Sequence, residues 1–250
     1  MGRARAVRSL GVSASPSQAS MAVKDYQLSM RLSSREEWDT NDELEEDGMR
    51  RNPYAAWERG MALRLDGNYL EAAKIHQLAS DFFDDIGDRP HSVISGLDAG
   101  IDLAAAATSS GDSTVVKKAT TVLKNAIDRT TTVEGRDVKL LQRVITKEGE
   151  GRMALSSLLW TIGNNRQDAE SQRGEACQRM DQLEADATRR GFKAPPKDQK
   201  PDRLLFNIDD VGVNPFDADC TRYKNVDYVT NKLEWPTSLR QALDKLNNLK

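Results

Sequence analysis

Two histidines, His76 and His91, are the side chains of this 250-residue chain best suited to acid–base chemistry. An imidazole changes its charge near neutral pH, so it can serve as a general acid, a general base or a metal ligand. His76 falls on the apolar face of a predicted helix, where the expected role is that of a hydrogen-bonded core residue. His91 follows Pro90 at a predicted helix start, and capping of that helix accounts for it. The sequence therefore predicts no catalytic residue and a protein that is not an enzyme.

The cysteines and the glycine-containing loops indicate neither a metal nor a cofactor. Cys177 and Cys220 are far apart and have no Cys-x-x-Cys spacing, which argues against a disulfide framework and against a four-thiolate zinc site. Residues 149–151, Gly-Glu-Gly, lack the lysine and the spacing of a phosphate-binding loop. A stretch beginning at Asn207 has some features of a calcium loop, but Val211 replaces an oxygen ligand and no glutamate occupies the twelfth position. We predict that the chain holds no metal ion and no cofactor.

The segment from Asn52 to Gly87 has the clearest helical periodicity in the chain. Apolar residues recur every three or four positions in each half of the segment. Gly67 and Asn68 separate the halves, and both tolerate the positive φ that a chain reversal requires. The pattern predicts an antiparallel helical hairpin. Its inward-facing residues are Tyr54, Trp57, Met61 and Leu65 in the first helix, and Tyr69, Ala72, Ala73, His76, Ala79, Phe82, Phe83 and Ile86 in the second.

This hairpin resembles a single tetratricopeptide repeat, which has small residues inside both helices and a glycine and a tyrosine at the turn. The residues that fit are Gly60, Ala62, Gly67, Asn68, Tyr69, Ala72 and Ala79. The chain departs from the motif at Arg59, where a leucine is usual, at His76, where an aromatic is usual, and at Asp84, where a proline closes the unit. The resemblance covers one unit of about 34 residues and implies a helical-repeat scaffold. A microtubule-interacting-and-trafficking domain, a three-helix bundle, has a run similar to residues 67–76 and is the structural alternative.

Two more turns of the same type, at residues 111–112 and 163–164, divide the next part of the chain into further helices. Ser113 is expected to cap the helix after the first of these turns. A helix across Val93–Ala107 is rich in small residues nearly all round and should be buried. A polar helix at 167–190 either covers the end of the stack or pairs with a partner helix, and the first use is favoured because terminal repeats need a polar outer face. We predict an all-α fold of irregular tetratricopeptide-like hairpins stacked as a short solenoid or bundle, with extended N- and C-terminal flanks.

Composition divides the chain into four parts. The first 24 residues contain arginines and serines but no acid, which is typical either of an organelle transit peptide or of a disordered basic terminus. The compartment therefore stays open between a mitochondrion or plastid and the cytoplasm. The predicted parts are a disordered or extended segment at 1–51, with a candidate transit peptide at 1–24 and an acidic run at 36–47; a helical repeat domain at 52–190; a proline- and lysine-rich linker at 191–203; and an extended tail at 204–250 that ends in a short helix.

Charge and hydropathy argue against nucleic acid as a partner and against a transmembrane segment. The net charge of −3 provides no general electrostatic attraction for nucleic acid. No apolar run approaches the ~20 residues that a membrane-spanning helix needs. The composition, 38% hydrophobic and 30% charged, instead fits a helix-rich protein with a modest core and long solvated faces.

Isolated large apolar residues in the two polar flanks are candidates for binding a partner protein. Such flanks cannot bury enough surface to fold alone, and tryptophan and phenylalanine are frequent anchors at interfaces. The candidate anchors are Trp38, Leu44, Phe206, Phe216 and Trp235. The alternative is that the C-terminal tail folds back and covers its own helices.

Two classes of function follow from these features. The first is a non-catalytic scaffold or structural subunit that binds other protein subunits, with a trafficking-type three-helix module as a variant. The second is an enzyme with a pocket between helices, which would require several buried carboxylates that the apolar stripes do not contain. The sequence favours the first class and leaves the partners and the oligomeric state open.

Overall fold

The computed structural model describes residues 15–33, 46, 48–133, 138–189 and 220–248. Over these residues the chain is helical and contains no strand, which confirms the all-α prediction. The α-helices are α1 (Pro16–Ser33), α2 (Pro53–Leu65), α3 (Tyr69–Asp85), α4 (Arg89–Ser110), α5 (Ser113–Thr130), α6 (Val138–Thr161), α7 (Arg166–Arg189) and α8 (Thr237–Asn247).

The predicted turns separate helices at the expected positions. Gly67 lies between α2 and α3 with a φ of +79°, and Gly111 ends α4 with a φ of +69°. Asn164, between α6 and α7, has a φ of +51°. The cap of α5 differs from the prediction, because Asp112 rather than Ser113 is the N-cap and accepts a hydrogen bond from the Thr114 N–H.

Gly67→Val should lower the free energy of unfolding by more than about 1 kcal/mol, because L-residues in the left-handed region are strained by roughly 1–2 kcal/mol. A Cβ atom at this position would meet no heavy atom within 4 Å, so the strain comes from the backbone alone. Thermal melts would measure the change. Gly67→Asn is the control, and its free energy of unfolding should fall much less, because asparagine tolerates this conformation. Equal stability of Gly67→Val and the wild type would contradict the turn geometry.

Helix α1 corrects the prediction that all of residues 1–51 are disordered or extended. It packs against α2, and Tyr26 and Met30 are among its fully buried side chains. Its buried residues Ala19, Ala22, Val23, Tyr26 and Met30 follow helical spacing, but the first part of the helix lies in the basic, acid-free segment 1–24, which led the sequence analysis to leave it out of the fold. Because α1 packs on α2, residues outside the predicted stripe of α2, such as Ala56 and Leu63, are also buried.

Helix α4 is central to the fold. It packs against α3, α5, α6 and α8, and residues 92–107 are all buried, as predicted for Val93–Ala107. The small residues of α4 permit this, because neighbouring helices can approach its backbone from several sides. Polar residues on α4 therefore lie in the interior, and their partners must come from the neighbouring helices.

The described part of the C-terminal tail, residues 220–248, packs on the helical core. The predicted short helix is confirmed as α8, which contacts α6 and α4 and buries Leu239, Leu243 and Leu246. The segment before it is not extended, because it forms a 3-10 turn at Cys220–Lys224 and a π-helical turn at Tyr228–Lys232. The described tail thus covers its own helices.

A disulfide joins Cys177 in α7 to Cys220 at the start of the described tail. This corrects the sequence-based argument against a disulfide. The two residues are 43 positions apart, and only the packing of the tail against α7 brings them together. The bond ties the described tail covalently to α7.

Candidate functional site

Six ionisable side chains from four helices meet in the interior of the described structure. They lie between an apolar cluster built mainly from α1, α2 and α3 and a second cluster built mainly from α4 to α8. We call them the buried charge cluster: Arg64 from α2, His76 from α3, Asp98 and Asp102 from α4, and Lys147 and Glu150 from α6.

Asp98 is the centre of the cluster. Its Oδ1 atom lies 2.9 Å from Arg64 Nη2 and 2.9 Å from Lys147 Nζ, and its Oδ2 accepts a hydrogen bond of 2.9 Å from Trp57 Nε1. Burial alone would raise the pKa of Asp98, but Lys147 and Arg64 outweigh it and hold the pKa well below its usual range. The carboxylate is therefore charged and fully bonded to the protein.

His76 is held by acceptors on both sides of its ring. Its Nδ1 lies 2.7 Å from Asp102 Oδ2, and its Nε2 lies 3.2 Å from the Trp57 carbonyl oxygen. Both ring nitrogens therefore face an acceptor oxygen of the protein. Gly60 allows the close approach of α2, since a Cβ atom there would lie 2.4 Å from the His76 ring. The structure confirms that His76 is a hydrogen-bonded core residue.

Glu150 extends the cluster to the C-terminal tail. Its Oε2 lies 2.7 Å from Lys147 Nζ, and its Oε1 accepts a hydrogen bond of 2.9 Å from Trp235 Nε1. Trp235 is only 1% exposed. Trp235 therefore packs on its own chain. This agrees with the alternative interpretation of the sequence, in which the C-terminal tail folds back and covers its own helices. The other candidate anchors, Trp38, Leu44, Phe206 and Phe216, and the linker at 191–203 lie outside the described residues.

A pocket of about 190 Å³ opens beside the buried charge cluster. We call it the aromatic pocket, and it is lined by Tyr54, Trp57, Phe83, His91, Ile94, Ser95 and Arg143. Trp57 belongs to both features, because its ring lines the pocket while its N–H is bonded to Asp98. The charge cluster thus positions one wall of the pocket.

His91 and Asp88 form the polar rim of the aromatic pocket. Asp88 is the N-cap of α4 and accepts from the His91 N–H, which agrees with the predicted position of His91 at a helix start. The Asp88 carboxylate also lies 2.9 Å from His91 Nδ1 and accepts a hydrogen bond of 3.1 Å from the Tyr54 hydroxyl. Burial and the nearby Asp88 raise the pKa of Tyr54. These contacts hold the three side chains in place.

The buried carboxylates are the feature that the sequence-based argument missed. Asp98, Asp102 and Glu150 are all buried, although the apolar stripes predicted none. The sequence did contain a signal for buried carboxylates. Asp98 and Asp102 stand four residues apart, on one face of the helix that was predicted to be buried. None of the three lines the pocket, however, and each is bonded to at least two other groups of the protein.

Comparisons with known proteins provide no relative for this chain: no protein-family model, no curated protein and no solved structure matched it. Among the described residues no helix is long and apolar enough to cross a membrane. The same residues contain no group of three or more histidine, cysteine or carboxylate side chains placed to hold a metal ion.

Proposed function

We propose that the protein is a non-catalytic helical-repeat scaffold, or structural subunit, that binds other proteins within a larger complex. In this proposal α2 to α7 are three irregular, tetratricopeptide-like hairpins stacked as a short solenoid. The flanks carry the contacts to other subunits, through Trp38 and Leu44 before the core and through Phe206 and Phe216 after it.

The observation that supports this proposal is how the buried charge cluster uses its carboxylates. Asp98 is bonded to Arg64, Lys147 and Trp57, and Asp102 is bonded to Arg64 and His76. A general base needs a free lone pair within hydrogen-bond reach of a substrate proton. These carboxylates are engaged with the protein and join α2, α3, α4 and α6, so their contribution is a rigid framework for binding.

Substitution of the flank anchors tests the proposal. The full chain should recover a defined set of subunits from its native source, and the affinity for a purified subunit can then be measured by calorimetry. Trp38→Ala or Phe206→Ala should weaken that affinity about 30-fold, which corresponds to the ~2 kcal/mol of an interface anchor. Leu44→Ala and Phe216→Ala extend the series. Val226→Ala is the matched control, because Val226 is 64% exposed in the described tail.

Two results would contradict the proposal. One is that no subunit binds, or that every anchor variant binds within threefold of the wild type. The other is enzymatic turnover in a metabolite mixture that disappears in His76→Gln while the fold, monitored by circular dichroism, stays intact.

A further inference from the structure

We propose that the aromatic pocket is a binding site for a small aromatic carboxylate of about the size of benzoate. This ligand site is separate from the subunit contacts proposed for the flanks and does not depend on them. Three features of the pocket support it: a buried hydroxyl and a guanidinium that have no partner among the described residues, and aromatic walls.

The Ser95 hydroxyl is the first feature. Ser95 is 1% exposed and lines the pocket, yet its Oγ has no hydrogen-bond partner in the described structure. Other hydroxyls of α4 bond to their own helix: Thr108 donates to the Ala104 carbonyl at 2.9 Å, and Ser109 to the Ala105 carbonyl at 2.8 Å. A buried polar group without a partner is unfavourable. A ligand in the pocket with an acceptor oxygen would satisfy it.

The Arg143 guanidinium is the second feature. It lines the pocket from α6, and no described residue forms a hydrogen bond or an ion pair with it. Two other arginines, by contrast, have carboxylate partners: Arg64 is paired with Asp98, and Arg152 with Glu148. A guanidinium presents paired N–H donors that match the two oxygens of a carboxylate. It also repels a cationic ligand, although aromatic walls alone would favour one.

The two acids near the pocket, Asp88 and Asp98, form ion pairs with other residues and none with Arg143. Asp88 lies at the rim, where Tyr54 and His91 occupy its oxygens. Asp98 does not line the pocket and is bonded to Arg64, to Lys147 and to the Trp57 indole N–H. Neither acid is among the residues that line the pocket, whereas Arg143 is, so its guanidinium favours an anion as the bound group.

The walls and the volume set the shape of the ligand. The Tyr54 ring meets the Phe83 ring at 4.9 Å and 82° and the His91 ring at 5.0 Å and 68°. Trp57 adds a further aromatic surface, and Ile94 an aliphatic one. Aromatic rings pack favourably edge-to-face and offset, so such walls suit a planar ring. An engineered cavity of about 150 Å³ holds benzene, so the volume of about 190 Å³ leaves room for a ring with a carboxylate.

Titration of the full chain with benzoate tests the proposal directly. Ligand-observed NMR should show saturable binding of benzoate with a dissociation constant of about 1 mM or below. Benzyl alcohol should bind at least about tenfold more weakly, because it lacks the charge that pairs with Arg143. Benzylammonium should not bind measurably, because its charge has the same sign as the guanidinium. These comparisons use the unaltered protein, so they do not depend on whether a variant folds.

Two variants assign the binding to the pocket. Arg143→Gln should weaken benzoate binding at least about tenfold and leave benzyl alcohol binding unchanged. Ser95→Ala should weaken benzoate binding about threefold to tenfold without lowering the melting temperature, because the hydroxyl has no bond to lose in the free protein. Lys118→Gln is the matched control for charge, since Lys118 is exposed and does not line the pocket. Benzoate binding that is no tighter than that of benzylammonium, or that is unaffected by Arg143→Gln, would overturn the proposal.

Discussion

Asp98→Ala is expected to lower the free energy of unfolding by about 3–5 kcal/mol, the cost of removing one partner of a buried ion pair. The substitution leaves Arg64 and Lys147 without the carboxylate that binds both, and the Trp57 N–H loses its acceptor. Lost attraction is the smaller part of this effect. The larger part is that buried charges keep their desolvation cost when their partner is removed. Urea unfolding followed by circular dichroism would measure the change.

An exposed pair of the same residue types provides the matched control. Arg50 Nη1 lies 3.2 Å from Asp85 Oδ2, and both side chains are more than half exposed, at 56% and 57%. Asp85→Ala should therefore cost at most about 1 kcal/mol, as exposed ion pairs do. A loss for Asp98→Ala as small as that for Asp85→Ala would show that the buried charge cluster does not stabilise the fold as described.

The substitution Asp98→Asn removes the charge of this side chain and keeps its shape. The resulting loss of unfolding free energy should depend on pH. The folded-state pKa of Asp98 is held below its unfolded value of about 3.9, so its stabilisation is present above that value and is lost as the pH falls further. The difference in unfolding free energy between the wild type and Asp98→Asn should therefore be constant near neutral pH and shrink below about pH 4. A difference that grows in acid would contradict the assignment of a charged, paired carboxylate.

Reduction of the Cys177–Cys220 disulfide is expected to lower the free energy of unfolding by about 4 kcal/mol. The bond closes a loop over a sequence separation of 43 residues, and a cross-link of that span removes this much loop-closure entropy from the unfolded chain. The measurement is urea unfolding of the wild type with and without a thiol-free reductant. Reduction should destabilise the tail more than the rest of the fold. Amide hydrogen exchange should therefore show the first loss of protection in α8.

The double variant Cys177→Ser and Cys220→Ser is the control for this experiment. It should have the stability of the reduced wild type and should not respond to the reductant. Mass spectrometry of the oxidised protein after alkylation should find no free thiol on either cysteine. Alkylation of both cysteines in the oxidised protein, or equal stability of the wild type and the double variant, would contradict the cross-link.

Local features of the fold could be predicted because they depend on residues that are close in sequence. Gly67 and Gly111 end helices with a positive φ, as glycines followed by Asn or Asp indicated. The burial of Val93–Ala107 followed from a helix that is rich in small residues nearly all round. The core position of His76 followed from its place in an apolar stripe of α3. In each case the determining interactions lie within one or two helical turns, which is the range that periodicity reports.

By itself, the sequence determined the all-α class, the turns and the buried helix α4, whereas the tertiary structure alone decided which side chains meet. Arg64 and Asp98 are 34 residues apart, and Glu150 and Trp235 are 85 apart, so no local spacing relates them. The disulfide and the aromatic pocket likewise join distant segments. Their geometry depends on how helices pack, and packing is set by the shapes of whole helix surfaces rather than by spacing along one of them.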